Sequence, residues 1–348
     1  MRNAWVLLAA VAAFSRGAAH APAFPFTDGD PEVQARVNRA LVWLAAQQQG
    51  NGSWTCKVGY KLYETYNGQE AEHVGVTALA CMAFVGAGHV PGRGGHGEVV
   101  ERGLKYVLDH VREEDGYVTS NGTRMYSHAF STMFLAEIYG MDPRDDIKGK
   151  LKRAVALLVG AQNREGGWRY SPTPVDADLS VTVSCLQALR GARNAGVSVP
   201  LDTIDRATRY VRRCYTRRGF AYQPANEYAM NDSRITYPLT ACGIVSLYSA
   251  GLYGADEVQQ GVLALESRSA ELHWGRYHYL YGHYYAAQAN FVAGEDHWQS
   301  YYERVKREIL EHQWEDGGWS DDVGRTYATA MACIVLQMPN ELLPIFQR

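Results

Sequence analysis

Two aspartates, Asp176 and Asp178, stand one residue apart just before an apolar run that begins at Leu179. Two carboxyls that close together suit general acid–base work. Like charge and burial raise one pKa, so that one group holds a proton while the other stays ionised. A donor of that kind protonates an alkene or a leaving oxygen. A plainer role is open to the same residues. An aspartate at a helix start accepts from the first free N–H groups and stabilises the helix by about 1 kcal/mol. Both readings apply to Asp178. The positive end of a helix favours the carboxylate, so an acid there needs burial or the charge of Asp176 to hold its proton.

Other polar residues fall in the same register. Apolar segments along the chain centre on Thr77, Ser131, Thr182, Thr240, Ala287 and Thr329; one helical turn earlier stand His73, Ser127, Asp178, Thr236, His283 and Arg325. If these helices run parallel around a ring, their N-termini gather at one mouth, where free N–H groups suit a phosphate or carboxylate. His73, His128 and Arg325 would add donors to a ligand there. The stretch "HWGRYHYLYGHYYAAQANF" holds Tyr277, Tyr279, Tyr281, Tyr284 and Tyr285. With Tyr237 and His283, Tyr284 is a candidate for lining a central cavity. Tyrosine faces stabilise a cation or stack on sugar rings, and they also simply pack between helices. His273, His278 and His283 are spaced five apart. That spacing puts them on different helix faces, so neither a metal nor another cofactor is expected.

The elements that would position these groups follow from a repeat. "WLAAQQQGNGSW", "LLVGAQNREGGW" and "ILEHQWEDGGW" share an apolar helix end followed by Gln-x-x-x-Gly-x-Trp. The glutamines are Gln48, Gln162 and Gln313, the glycines Gly52, Gly166 and Gly317, and the tryptophans Trp54, Trp168 and Trp319. Weaker copies end at Tyr117, Phe220 and Trp274. Before each frame lies a helix with one charged face, which reads as an outer helix. After each comes a helix apolar nearly all round, which reads as buried. Six outer–inner pairs can close on themselves, and closure removes the need for the polar capping repeats of an open solenoid. The expected fold is an all-α, single α/α toroid over residues 32–338, followed by a tail at 339–348. Glycine turns the chain, tryptophan packs over the turn, and glutamine bonds free backbone groups at a helix end.

Bulk composition narrows the partners. Net charge is −3, which gives no electrostatic case for nucleic acid or an anionic membrane. Arg2, the apolar run "AWVLLAAVAAF" and the small residues "AHA" read as a signal peptide over residues 1–21, with the rest secreted or periplasmic and no span retained after cleavage. Of the six cysteines, Cys81, Cys185, Cys242 and Cys333 lie within apolar helices as core residues, while a Cys56–Cys214 pair stays open. Sequons stand at Asn51, Asn121 and Asn231.

The Gln-x-x-x-Gly-x-Trp frame resembles the repeat of the squalene cyclase and protein prenyltransferase superfamily, over roughly Glu32 to Leu336. The chain is most similar to the short exported bacterial prenyltransferase/squalene oxidase repeat proteins. Squalene–hopene-type cyclases carry Asp-x-Asp-Asp-Thr at the start of an inner helix; the matching residues here are Asp176-Ala177-Asp178-Leu179-Ser180. The resemblance makes Asp178 the proton donor, with Asp176 beside it, and puts leucine where the family has a third acid. Prenyltransferase β subunits hold zinc through an Asp-x-Cys pair and a distant histidine. Here Asp232 precedes Ser233 and Arg234, and Cys242 lies ten residues on. No zinc and no α-subunit partner is therefore implied. Function then divides three ways: a toroid binding an apolar, isoprenoid-type small molecule with Asp178 as acid; a carbohydrate-active lyase or hydrolase using Glu72, Asp178, Tyr237, His283 and Arg325; or a non-catalytic interaction scaffold. Fold alone does not choose among them.

Overall fold

A computed structural model describes residues 30–59, 68–173, 175–224, 234–343 and 345. The proposed signal peptide and the sequon at Asn231 lie outside the described residues. Outer helices are α1 (Pro31–Gln47), α3 (Gly97–Asp109), α5 (Asp145–Gly160), α7 (Leu201–Cys214), α9 (Asp256–Ser267) and α11 (Glu295–Glu311). Inner helices are α2 (Val74–Val85), α4 (Met125–Met141), α6 (Leu179–Asn194), α8 (Tyr237–Ser249), α10 (Tyr279–Ala293) and α12 (Arg325–Leu336). Each inner helix packs on the next, and α12 packs on α2, so the ring is closed. Every residue of α2 is buried, as its unbroken apolar sequence requires.

One device, used repeatedly, sets the spacing between outer helices. Trp54, Trp168 and Trp319 are fully buried. Each indole N–H donates to a carbonyl near the end of its own outer helix, Leu44, Leu158 or Ile309, at 2.7 Å. Each backbone N–H donates to a threonine of the following inner helix, Thr77, Thr182 or Thr329. Gln162 Nε2 donates both to Gly166 O in its own turn and to Thr203 O on the next outer helix, each at 2.8 Å. Gly166 adopts φ +99°, and a Cβ there would lie 2.2 Å from the carbonyl oxygen of Arg206. Only glycine fits so close a backbone approach. The last copy closes the ring, because Gln313 Nε2 donates to Arg36 O on α1 at 2.9 Å.

Two short hairpins interrupt the helical pattern. Strand β1 (Thr55–Val58) pairs antiparallel with β2 (Gln69–Glu72), and β3 (Tyr215–Thr216) with β4 (Gly219–Phe220). Both sit in outer-to-inner connections long enough to fold back and pair their own backbone groups. All six cysteines are free and buried, Cys56 and Cys214 included. No described helix is long and apolar enough to cross a membrane.

The far end of the ring is closed by the chain after α12. Leu343 and Ile345 are buried, so part of the segment read as a tail belongs to the core. The Ile345 N–H donates to Glu137 Oε2 at 3.1 Å, and Glu137 is only 3% exposed. Burial pushes the Glu137 carboxyl from 4.5 up to about 8. The folded chain therefore holds a proton that the unfolded chain releases between those values, and stability falls as pH rises through that window. The cost reaches on the order of 4 kcal/mol. Glu137→Gln, which mimics the protonated group, should raise the urea midpoint at pH 8 and remove most of the difference between pH 8 and pH 5. An unchanged pH dependence in the variant would mean that Glu137 is not the group responsible.

Candidate functional site

Asp178 is the N-cap of α6 and is 0% exposed. Its Oδ1 accepts from Ser180 Oγ at 2.5 Å and from the Val181 N–H at 2.9 Å. Its Oδ2 accepts from Arg169 Nη1 at 2.9 Å. Burial pushes the Asp178 carboxyl up, while Ser180, Val181 and Arg169 pull it down, and the net displacement is upward. Asp176 is about half exposed and meets the same guanidinium, with Arg169 Nε 3.3 Å from its Oδ2. The two carboxylates are thus joined through an arginine rather than sharing a proton. The sequence frame places Arg169 there: it follows Trp168, whose backbone bridges to Asp178 through Asp178 N–H to Trp168 O at 3.0 Å.

Around this pair lies a shell of tyrosines. Tyr126 OH donates to Ser180 Oγ at 2.8 Å, and Tyr281 OH donates to Ser180 O at 3.0 Å. Arg169 Nη1 also donates to Tyr222 OH at 2.9 Å, and Tyr222 OH lies 2.7 Å from Tyr170 OH. The Arg169 guanidinium stacks over Tyr170 at 4.8 Å and Tyr222 at 5.5 Å. Tyr126, Tyr170, Tyr222, Tyr281 and Tyr327 are all half-buried. Yet desolvation raises each phenol, those of Tyr126, Tyr281 and Tyr327 well above the ordinary value. All five stand at the start of an inner helix or in the connection leading into one, so they gather at the N-terminal mouth of the inner helices.

Below the mouth the lumen is filled. Helices α4 and α10 face each other across the ring. Tyr126 and Tyr281 meet edge to face at 6.2 Å, and one turn deeper Phe130 and Tyr284 meet at 5.9 Å. Tyr284 OH points at Met133 Sδ, 3.9 Å away, and Gln187 Nε2 donates to Gln288 Oε1. A cavity of about 10 Å³ lies at the far end beside Gln288, Phe291 and Ile345. Phe130, Met133, Tyr284 and Tyr285 thus form a floor one turn below the mouth.

The other sequence candidates do not converge there. His73 caps α2, its Nδ1 accepting from Val76 N–H at 3.2 Å, and burial lowers its pKa to about 4. His128 is fully buried; Nδ1 accepts from Val118 N–H at 3.0 Å and Nε2 faces Ala154 O at 3.1 Å. That pairing fixes its tautomer in a structural bridge, and burial lowers its pKa to about 4. His283 bonds Tyr301 OH at 3.0 Å inside the wall, 6.0 Å from the ring of buried Tyr237, and is pushed down to about 3 by burial. Arg325 is clamped between Trp43 and Trp314, at 4.7 and 4.2 Å, and bonds both oxygens of Asp316 at 2.8 Å. It staples the closing seam. Among the described residues no His, Cys, Asp or Glu cluster could hold a metal.

The fold is a terpene cyclase-like α/α toroid. The type II terpene cyclase MstE from Scytonema superposes with a TM-score of 0.60 at 13% identity, covering 90% of this chain and 99% of that one. Cellobiose 2-epimerase from Bacillus thermoamylovorans superposes with a TM-score of 0.63 at 13% identity, covering 88% of this chain and 98% of that one. At such identity the likeness is one of fold alone. In sequence, the drimenyl diphosphate synthase of Streptomyces showdoensis is 25% identical over 166 residues, 47% of this chain. The match spans only 29% of that protein. No protein-family model matches the chain.

The sequence did not single out Arg169, Tyr126, Tyr170, Tyr222 or Tyr327. A usable signal existed for the first: an arginine directly after a motif tryptophan, nine residues before the buried aspartate. Tyr126 and Tyr222 come from separate helix pairs and meet only through α6, which packs between them.

Proposed function

We propose that the protein binds an apolar, isoprenoid-type small molecule at the mouth of its toroid. The observation that carries this reading is the gathering of half-buried Tyr126, Tyr170, Tyr222, Tyr281 and Tyr327 at the inner-helix N-termini, above a largely aromatic floor. Aromatic faces of this kind give large contact area to unsaturated hydrocarbon. The similarity to a synthase named for a terpenoid product, and to a cyclase solved with its geranylgeranyl substrate, supports the same class of ligand. The reading stops at binding. Asp178 has no exposed surface, and its two oxygens already accept from Ser180, Val181 and Arg169. An acid that starts a cyclisation must instead hold its proton against the alkene. On residues 1–21 alone, binding takes place outside the cytoplasm.

A second reading, an interaction scaffold, draws on the filled lumen below the mouth. Mass spectrometry of small molecules carried by protein purified from its native host separates the two. Recovered polyisoprenoid is the expected result. Bound oligosaccharide would transfer the site to the carbohydrate-active class, and empty, stable protein would leave the scaffold.

A further inference from the structure

A neutral phenol has one proton to donate and lone pairs with which to accept. Around Asp178 those protons are already committed. An ionised carboxylate only accepts, so the Ser180 hydroxyl must give its proton to Asp178 Oδ1. Ser180 Oγ is then an acceptor, and it receives Tyr126 OH at 2.8 Å. Tyr281 OH is committed in the same way to the Ser180 carbonyl at 3.0 Å. Cys242 Sγ lies 3.3 Å from Tyr281 OH and, with the Tyr281 proton already committed, donates to it. Neither phenol of this edge-to-face pair has a free proton, and Tyr126 is the one whose oxygen keeps lone pairs for a ligand. Burial keeps both groups neutral, because it raises each far above the ordinary phenol value.

We propose that the mouth selects an isoprenoid whose neutral head group donates a hydrogen bond, an alcohol, over one with an anionic head such as a diphosphate. This rests on the reading of the mouth as an isoprenoid site. The Tyr126 phenol oxygen accepts the single hydroxyl proton, and the hydrocarbon lies against the neighbouring rings. An anion has nothing to donate to that oxygen. Arg169 gives it little help, since that guanidinium already meets Asp178 at 2.9 Å, Asp176 at 3.3 Å and Tyr222 OH at 2.9 Å. Arg234, stacked over the Tyr222 ring at 4.7 Å, is the group through which an anionic head would bind instead.

The test is calorimetric titration of the full chain with farnesol, farnesyl diphosphate and the saturated hydrocarbon farnesane in one buffer. Farnesol should bind about tenfold more tightly than farnesane, the worth of one hydrogen bond to a desolvated partner, and more tightly than the diphosphate. Ser180→Ala returns the Tyr126 proton to the mouth, so the farnesol-to-diphosphate ratio should fall. Tyr126→Phe should bring the farnesol-to-farnesane ratio towards one, and it provides the same check if Ser180→Ala does not fold. Equal binding of farnesol and farnesane would overturn the head-group selection and leave the isoprenoid site standing. Tightest binding of the diphosphate would overturn it as well, through Arg234. If none of the three ligands binds, the isoprenoid site itself is wrong. An unchanged ratio in both variants would remove the assignment to Ser180 and Tyr126.

Discussion

Arg169→Met should cost the fold on the order of 3–5 kcal/mol, the usual penalty for removing one partner of a buried ion pair. Asp178 would keep its donors from Ser180 and Val181 and lose Arg169, its only counter-charge within bonding distance among the described residues. Desolvation, already the largest influence on this carboxyl, would then act with less opposition. The sign follows from linkage. A folded-state pKa raised above the ordinary 3.8 means that the native protein holds the proton longer than the unfolded chain. Stability then falls as pH rises from 3.8 through the folded value. The variant should therefore be more damaged at pH 8 than at pH 5 by urea denaturation. Asp178→Asn placed on top of Arg169→Met should recover much of the loss, since it removes the uncompensated charge and keeps the shape. If Arg169→Met costs less than about 1 kcal/mol, the pair behaves as a surface contact and Asp178 is not the buried anion described above.

The same pair marks how far the sequence could be read. The fold was legible because the constraint is local and repeated. A glycine with left-handed φ, a glutamine four residues before it and a tryptophan two residues after it are all fixed by one turn. The copy ending at Tyr117 keeps the close approach through Gly116, which a Cβ would bring to 2.4 Å from Arg153 O, although the aromatic follows one residue sooner. Helix starts were legible for the same reason: His73, Asp178 and Thr236 are all N-caps whose side chains accept from a first-turn N–H. Side-chain direction was not legible. His283 and Tyr284 are neighbours in sequence, yet one turns into the wall towards Tyr301 and the other crosses the lumen to Phe130. A helical residue moves by about 100° around the axis at each step, so adjacent positions serve different neighbours. Arg325 shared the inner-helix register with Asp178, but its partners Trp43 and Asp316 come from opposite ends of the chain. Only closure of the ring reveals that contact.

Closure itself gives the second large effect. Trp168→Ala removes a fully buried indole and its bond to Leu158 O, and should cost about 3–5 kcal/mol. Trp319→Ala should cost as much. In an open superhelix the terminal unit has one neighbour and frays, so the same truncation there is cheaper than in the middle. Here Trp319 sits at a seam like the others: Gln313 reaches Arg36 O at 2.9 Å, and a Cβ at Gly317 would lie 2.8 Å from Arg39 O. The first and last units are neighbours, and neither end is free. Urea midpoints of the two variants, with hydrogen exchange at the amides of α1 and α7, make the comparison direct. Matching losses and matching protection support the closed ring. A Trp319→Ala variant that melts only α1 and α11 while the remaining helices stay protected would show that the seam is a loose contact, and the mouth built from facing helices would lose the rigidity that selection of a ligand requires.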